Sequence, residues 1–258
     1  MTHPYFEKAQ RPRVLAHRGL VTAEGEESGV WENTAVAFAA AHAAGAEYIE
    51  TDCRVTADGD VVLFHDETLE RLVDDGREVA AVTTKELRSI FADHGGLLTV
   101  REALETFPTI RFNIDVKTDA AAEPVGSIIA PHAHRVLVTS FSDSRRRRAV
   151  DAVLAAGSEI RPATSAGSRT IAAVLALTTL RLSPAAVLRD IDALQVPERQ
   201  GVIRVLTPAL LRVCRSLGVE VHVWTINEPD DMERIISAGA DGIVSDRADE
   251  AIRVLRPV

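Results

Sequence analysis

The chain has 258 residues, 46% hydrophobic and 26% charged, which is ample apolar material for a core and too much for a disordered chain. Its net charge of −9 argues against a nucleic-acid partner, which would need clustered cations along a phosphate track. Only 4% of the residues are aromatic, so the core must be mostly aliphatic.

Residues 1–13 are polar and carry no apolar leader core. The longest uncharged apolar stretch, 170–180, is too short to span a bilayer. A cytoplasmic protein without stable membrane insertion is therefore expected, and its oligomeric state is open. Cys53 and Cys214 form no C-x-x-C pair and read as reduced, partly buried thiols.

Short β-branched runs alternate with longer segments of helical period. In chain order, strands are predicted over 13–17, 48–55, 61–65, 111–117, 135–141, 159–162, 192–196, 201–205, 220–226 and 242–245. Helices are predicted over 34–44, 84–91, 100–106, 142–156, 167–180, 207–217 and 229–238. Such alternation indicates parallel strands with crossover helices. Two of the ten strands are extras beyond eight, and Asp58-Gly59 is a hairpin signal rather than a crossover. The expected architecture is α/β, a TIM (β/α)8-like barrel. It forms a single domain over 1–258, with a small irregular insertion after the second strand, around 66–96.

In such a barrel the active site gathers at the C-terminal ends of the strands. Strand one runs into His17-Arg18-Gly19, the second carries Glu50 and Asp52, and the following hairpin ends at His65-Asp66. A later strand holds Asp115 and Lys117, and another reaches Trp224 and Asn227. Glu50 and Asp52 are two residues apart, so a strand puts both on one face. Two adjacent carboxylates would repel unless a cation joined them. Hard oxygen ligands suit magnesium or calcium, and Asp115 could complete the set. Against this, the pair could face outward and meet helix cations. Two histidines at strand ends beside carboxylates suggest a general acid and a general base, as a phosphodiester needs. Arg18 offers a planar fork to a phosphate, Glu32 could hold that fork, and Lys117 adds a second positive point.

The other histidines read as surface or structural, with His222 a marginal candidate on the face of Trp224. The run Arg145 to Arg148 reads as a solvated helix face.

Together these residues resemble the glycerophosphodiester phosphodiesterase family. The matching pieces begin with His17-Arg18-Gly19, Glu32-Asn33-Thr34, Glu50-x-Asp52 and His65-Asp66-Glu67-Thr68-Leu69. They continue through Asn113-Ile114-Asp115-Val116-Lys117 and Val223-Trp224-Thr225-Ile226-Asn227 to the stretch from Gly239 to Asp246. No single piece is specific, but the ordered set is. The resemblance implies a TIM-barrel hydrolase that releases glycerol 3-phosphate and an alcohol. It implies His17 and His65 as the acid–base pair and a divalent metal on Glu50, Asp52 and Asp115. Arg18 and Lys117 would bind phosphate, and Trp224 would form an apolar wall. The family's usual mechanism has the substrate's own glycerol hydroxyl attack phosphorus, followed by hydrolysis of a cyclic phosphate.

Two departures stand out. The third metal position commonly carries glutamate, whereas this chain has Asp115, and the loop from Gly19 to Glu32 is long. Two alternatives remain. A lysophospholipase D-like enzyme would want an apolar, membrane-facing loop, and no such run is legible near the expected barrel mouth. A non-catalytic phosphodiester-binding barrel would have lost a histidine or a ligand, and every such position is filled.

Overall fold

A computed structural model of the chain describes residues 3–256. The first half comprises β1 (Arg13–His17), α1 (Ala23–Glu27), α2 (Ala35–Ala43), β2 (Tyr48–Val55), β3 (Val61–Leu63), α3 (Glu70–Val73), α4 (Thr84–Phe91), α5 (Val100–Thr106), β4 (Arg111–Val116) and α6 (Ala122–Ile129). The second comprises β5 (Val136–Thr139), α7 (Asp143–Ala155), β6 (Ala163–Thr164), α8 (Ser168–Thr179), β7 (Ala193–Val196), β8 (Arg199–Gln200), β9 (Ile203–Arg204), α9 (Pro208–Leu217), β10 (Glu220–Val223), α10 (Pro229–Ser237), β11 (Gly242–Ser245) and α11 (Ala248–Leu255).

Eight parallel strands pair in the order β6-β5-β4-β2-β1-β11-β10-β7, and a parallel bridge from Ser165 to Ala193 brings the two ends together. This is the expected TIM barrel. The three remaining strands are β3, antiparallel to β2, and β8 and β9 of a small antiparallel ribbon. The sixth barrel strand lies at Ala163–Thr164, just beyond the predicted 159–162, where Pro162 supplies no ladder donor.

Period two decides what each strand buries. On β1, Val14 and Ala16 pack outward into the large core under the helices, while Leu15 points into the barrel with Tyr48, Leu137, Ala193 and Val244. Arg13 and His17 share the inward face with Leu15, one at each end. The same alternation on β2 sends Ile49 and Cys53 outward and leaves Tyr48, Glu50 and Asp52 inside. Both cysteines are free and fully buried, more so than expected.

The N-terminal segment plugs the bottom of the barrel. Tyr5 and Phe6 are buried against the interior cluster. Arg13, 1% exposed, donates to the carbonyls of Phe6, Ala9 and Gln10 and to Glu220. His222 belongs to this plug rather than to the mouth, since it bonds Glu220 at 3.1 Å and lies against Phe6.

Helix entries follow their caps. Thr34, Thr83, Thr99, Ser142 and Thr207 each accept a backbone N–H three residues on, and Thr99 with Glu102 completes a capping box. The predicted irregular insertion has its own small core of Val62, Phe64, Leu69, Val79, Val82, Leu87, Phe91 and Leu97. Trp31 from the long loop covers it, edge-on to Phe91 and stacked on His94. No helix among the described residues is long and apolar enough to cross a membrane.

Candidate active site

The C-terminal ends of the strands enclose a cavity of about 580 Å³. His17, Arg18, Glu50, Asp52, His65, Asp115, Lys117 and Trp224 all line it. Glu32 does not. It stands behind Arg18 and accepts from its Nη1 at 2.8 Å, so it orients the guanidinium rather than facing the cavity.

The turn after β1 places Arg18 in the left-handed region at φ 56. Gly19 follows at φ 92, and a Cβ there would come within 2.9 Å of the Ala37 backbone. That close approach to α2 fixes the angle at which His17 and Arg18 leave the strand.

Each histidine is tied to a carboxylate. His17 Nδ1 lies 2.6 Å from Asp246 Oδ1, and His65 Nδ1 lies 2.7 Å from Asp66 Oδ1. Both aspartates titrate below the usual carboxylate range. Burial opposes this for each, but the bonds from His17 and Asn227 prevail at Asp246, and those from His65 and Arg71 prevail at Asp66. An ionised carboxylate can only accept, so Nδ1 carries the proton in both rings and Nε2 is free for chemistry. His17 Nε2 stands 3.8 Å from Glu50 Oε2. Burial works against a charged His17, yet the Asp246 bond and the Glu50 charge raise its pKa above the ordinary value.

The carboxylates of β2 and β4 form the polar wall. Lys117 Nζ stands 2.7 Å from both Asp52 Oδ1 and Asp115 Oδ2, and Arg18 Nε lies 3.2 Å from Asp52 Oδ2. Burial opposes ionisation of Asp52, but Lys117 and Arg18 hold its pKa down. Lys117 is pushed up to about 12, against its own burial, by Asp52 and Asp115. Among the described residues no lysine or arginine pairs with Glu50, and burial with the neighbouring Asp52 charge pushes it up to about 8. Burial raises Asp115 as well.

Among the described residues no three His, Cys, Asp or Glu side chains are grouped closely enough to hold an ion. The Lys117 ammonium stands where the expected three-carboxylate cluster would close. The donor chemistry nevertheless fits a hard divalent cation. Glu50 Oε2 and Asp115 Oδ1 are buried with no hydrogen-bond partner among the described residues, and a buried carboxylate whose pKa has risen is relieved by a bound cation.

Several participants were not among the expected site residues. Asp246 was legible only as a member of a matching motif and Asn227 also as a polar residue at a strand end, neither with a role attached. Asn227 Nδ2 donates to Asp246 Oδ2 at 2.7 Å, and its Oδ1 accepts from the Asp246 N–H. Arg71, from the insertion, bonds both Asp66 and Glu32 and had no signal in the sequence. Asn113 Oδ1 and Gln195 Nε2 are buried, without a hydrogen-bond partner among the described residues, and their side chains are part of the cavity lining. The arginine run is not a uniformly solvated face. Arg146 is buried, and Arg145 donates to the Lys117 carbonyl at 2.6 Å, bracing the end of β4.

A glycerophosphoryl diester phosphodiesterase family model matches residues 17–250. The chain belongs to that family. It is 37% identical over 240 residues to probable glycerophosphodiester phosphodiesterase 2 of Mycobacterium tuberculosis, covering 91% of this chain and 87% of that protein. A crystal structure of a glycerophosphodiester phosphodiesterase from Thermotoga maritima superposes with a TM-score of 0.69 at 25% identity, covering 93% of this chain and 97% of that one. A phosphodiesterase from Oleispira antarctica, solved with the product sn-glycerol-3-phosphate, shares the fold at 20% identity and a TM-score of 0.66, with 95% and 96% covered. The chain is thus an enzyme, a glycerophosphodiester phosphodiesterase, of a family generally dependent on divalent metals.

The opposite side of the same cavity is apolar. Phe141, Ile171, Leu175, Ile203 and Val205 line it, with Trp224 edge-on to Phe141. Phe141, Val202 and Ile203 are 63%, 91% and 61% exposed around its rim. The exposed apolar run beside it is two residues long, Val202 and Ile203, at the tip of the β8–β9 ribbon.

Proposed function

We propose that the enzyme hydrolyses glycerophosphodiesters to glycerol 3-phosphate and an alcohol by acid–base catalysis between His17 and His65, with a divalent cation, magnesium or calcium, on Glu50, Asp52 and Asp115. The observation that carries this is the pair of histidines, each tied through Nδ1 to a carboxylate and each lining the cavity that holds three buried carboxylates and the cations Arg18 and Lys117.

The cation would lower the pKa of the attacking oxygen and offset charge on the phosphoryl oxygens. Arg18, held by Glu32, and Lys117 bind and orient the phosphate. One histidine takes the proton from the attacking glycerol hydroxyl as the new O–P bond forms. The other protonates the departing alkoxide as the old P–O bond breaks. Opening of the cyclic phosphate by water uses the pair in reversed roles. Asp246 and Asp66 hold the rings in the required tautomer throughout. Trp224 walls off water from the reacting phosphate. A single barrel over 1–258 and a reducing, cytoplasmic setting, suited to the free Cys53 and Cys214, complete the proposal.

The test is release of glycerol 3-phosphate from a glycerophosphodiester after chelation, then after return of magnesium or calcium. Activity should vanish and come back, and Glu50→Gln should resemble the chelated enzyme. Full turnover by rigorously metal-free protein would show that the cation has no part.

A further inference from the structure

The insertion between β3 and α5 meets the reacting groups through one residue. Arg71, on α3, donates through Nε to Asp66 Oδ2 at 2.5 Å and through Nη2 to Glu32 Oε1 at 2.6 Å. Asp66 is the carboxylate that holds His65, and Glu32 Oε1 also accepts from Arg18 Nη1. One guanidinium thus closes a path of alternating charge from His65 through Asp66, Arg71 and Glu32 to Arg18, and Arg18 carries it on to Asp52 at 3.2 Å. Arg71, Asp66 and Glu32 stand outside the cavity lining, so Arg71 acts on the phosphate site only through its partners.

Arg71 is half exposed, and an exposed pair of flexible side chains is usually worth little. Two features set this one apart. Its two carboxylates take separate N–H groups of one planar fork, which fixes the guanidinium in orientation as well as position. The short helix that carries it is also pinned from both sides. Leu69 and Leu72 pack into the insertion's own core. The returning chain is tied down where the Leu69 N–H donates to the Arg77 carbonyl and the Val79 N–H to the Glu67 carbonyl.

We propose that Arg71 is a positioning residue that joins His65 and Arg18 into one unit, so that proton transfer and phosphate seating are set together. This rests on the acid–base reading of the site and deepens it. Asp66 and Glu32, both acidic, meet only through Arg71. A movement of Arg18 onto a bound phosphate is passed through Glu32 and Arg71 to Asp66, and so to the angle of the His65 ring. The insertion, which adds nothing to the barrel ladder, thereby takes part in turnover.

The test uses the intact protein with metal present and a water-soluble diester, glycerophosphocholine. Arg71→Ala should keep the native circular dichroism, lower kcat about tenfold and raise KM about threefold or more. Arg71→Lys keeps the charge but not the fork, and should remain impaired in both. Full activity in either variant would overturn the proposal. Asp66→Asn and Glu32→Gln should each lower kcat/KM, and their combined loss should fall about threefold or more short of the product of the two. In the Arg71→Ala background the two losses should multiply. Multiplying losses with Arg71 present would overturn the proposal even if Arg71→Ala failed to fold. His65→Ala separates this inference from the reading beneath it. Near-normal kcat there defeats the acid–base reading, and the same cycle read as affinity for glycerol 3-phosphate in calorimetry then decides Arg71 alone: coupled losses support it and independent losses overturn it.

Discussion

At the scale of single residues, most of the site was legible because chemistry constrains residue type at strand ends. Glu50 and Asp52 declared themselves through period-two spacing on a strand, and His17, His65, Asp115 and Lys117 through their places on or just beyond strand ends. What stayed hidden were the partners. Asp246 is far from His17 in the chain and reaches it only because β1 and β11 are neighbours. Arg71 is one surface arginine among many until the insertion folds over Glu32. Asp246→Asn should therefore reduce kcat by about 10- to 100-fold with little change in KM, because an amide no longer enforces the Nδ1–H tautomer. A kcat within twofold of wild type would remove Asp246 from the mechanism. Position 115 offers a second check. Asp115→Asn should weaken binding of both magnesium and calcium in calorimetry by removing charge. Asp115→Glu should stay folded and shift the preference between them, since magnesium demands near-octahedral geometry and calcium does not. Unchanged affinity in Asp115→Asn would show that the carboxylate is not a ligand.

Among elements, the well-capped helices α4 and α5 match their predicted bounds, whereas α6 was not foreseen. It contains Pro124 and Gly126, which read as breakers in isolation. Pro124 lies in the first turn, where its missing N–H costs nothing. Gly126 is there for contact, since a Cβ would lie 2.5 Å from the Ala149 carbonyl of α7. Gly126→Ala should therefore destabilise the fold by roughly 1–3 kcal/mol despite alanine's better helix propensity, and thermal melting should show it. A rise in melting temperature would mean that α6 and α7 can separate freely. The β8–β9 ribbon was equally opaque. A predicted strand over 201–205 gave no hint that Gly201 would turn and expose Val202. Exposure is a property of the folded chain, and hydropathy alone reports the opposite.

For the whole molecule, the alternation of strands and helices was enough for the barrel, but the ionic plug beneath it was not anticipated. Arg13, Glu220 and His222 sit on one inward face and are closed off by Tyr5 and Phe6. Burial opposes the charge on Glu220, yet His222 and Arg13 bring its pKa down to about 2. A carboxylate whose folded pKa is depressed stabilises the fold above its unfolded value of about 4.5, and the contribution fades as pH falls toward 2. The size is on the order of 3 kcal/mol for this buried group. Glu220→Gln should thus be markedly less stable than wild type at pH 7, with the gap closing between pH 4.5 and 2 in denaturant titrations. A gap that stays constant across that window would mean that Glu220 does not carry the plug's acid sensitivity.

The central claim is that His17 and His65 share the proton transfers of phosphodiester cleavage. It is tested most directly by the rate of glycerol 3-phosphate release from a saturating glycerophosphodiester with metal present, in His17→Ala and His65→Ala. Each should retain the native circular dichroism and lose about two to four orders of magnitude in kcat. Near-normal kcat in either folded variant would contradict the account.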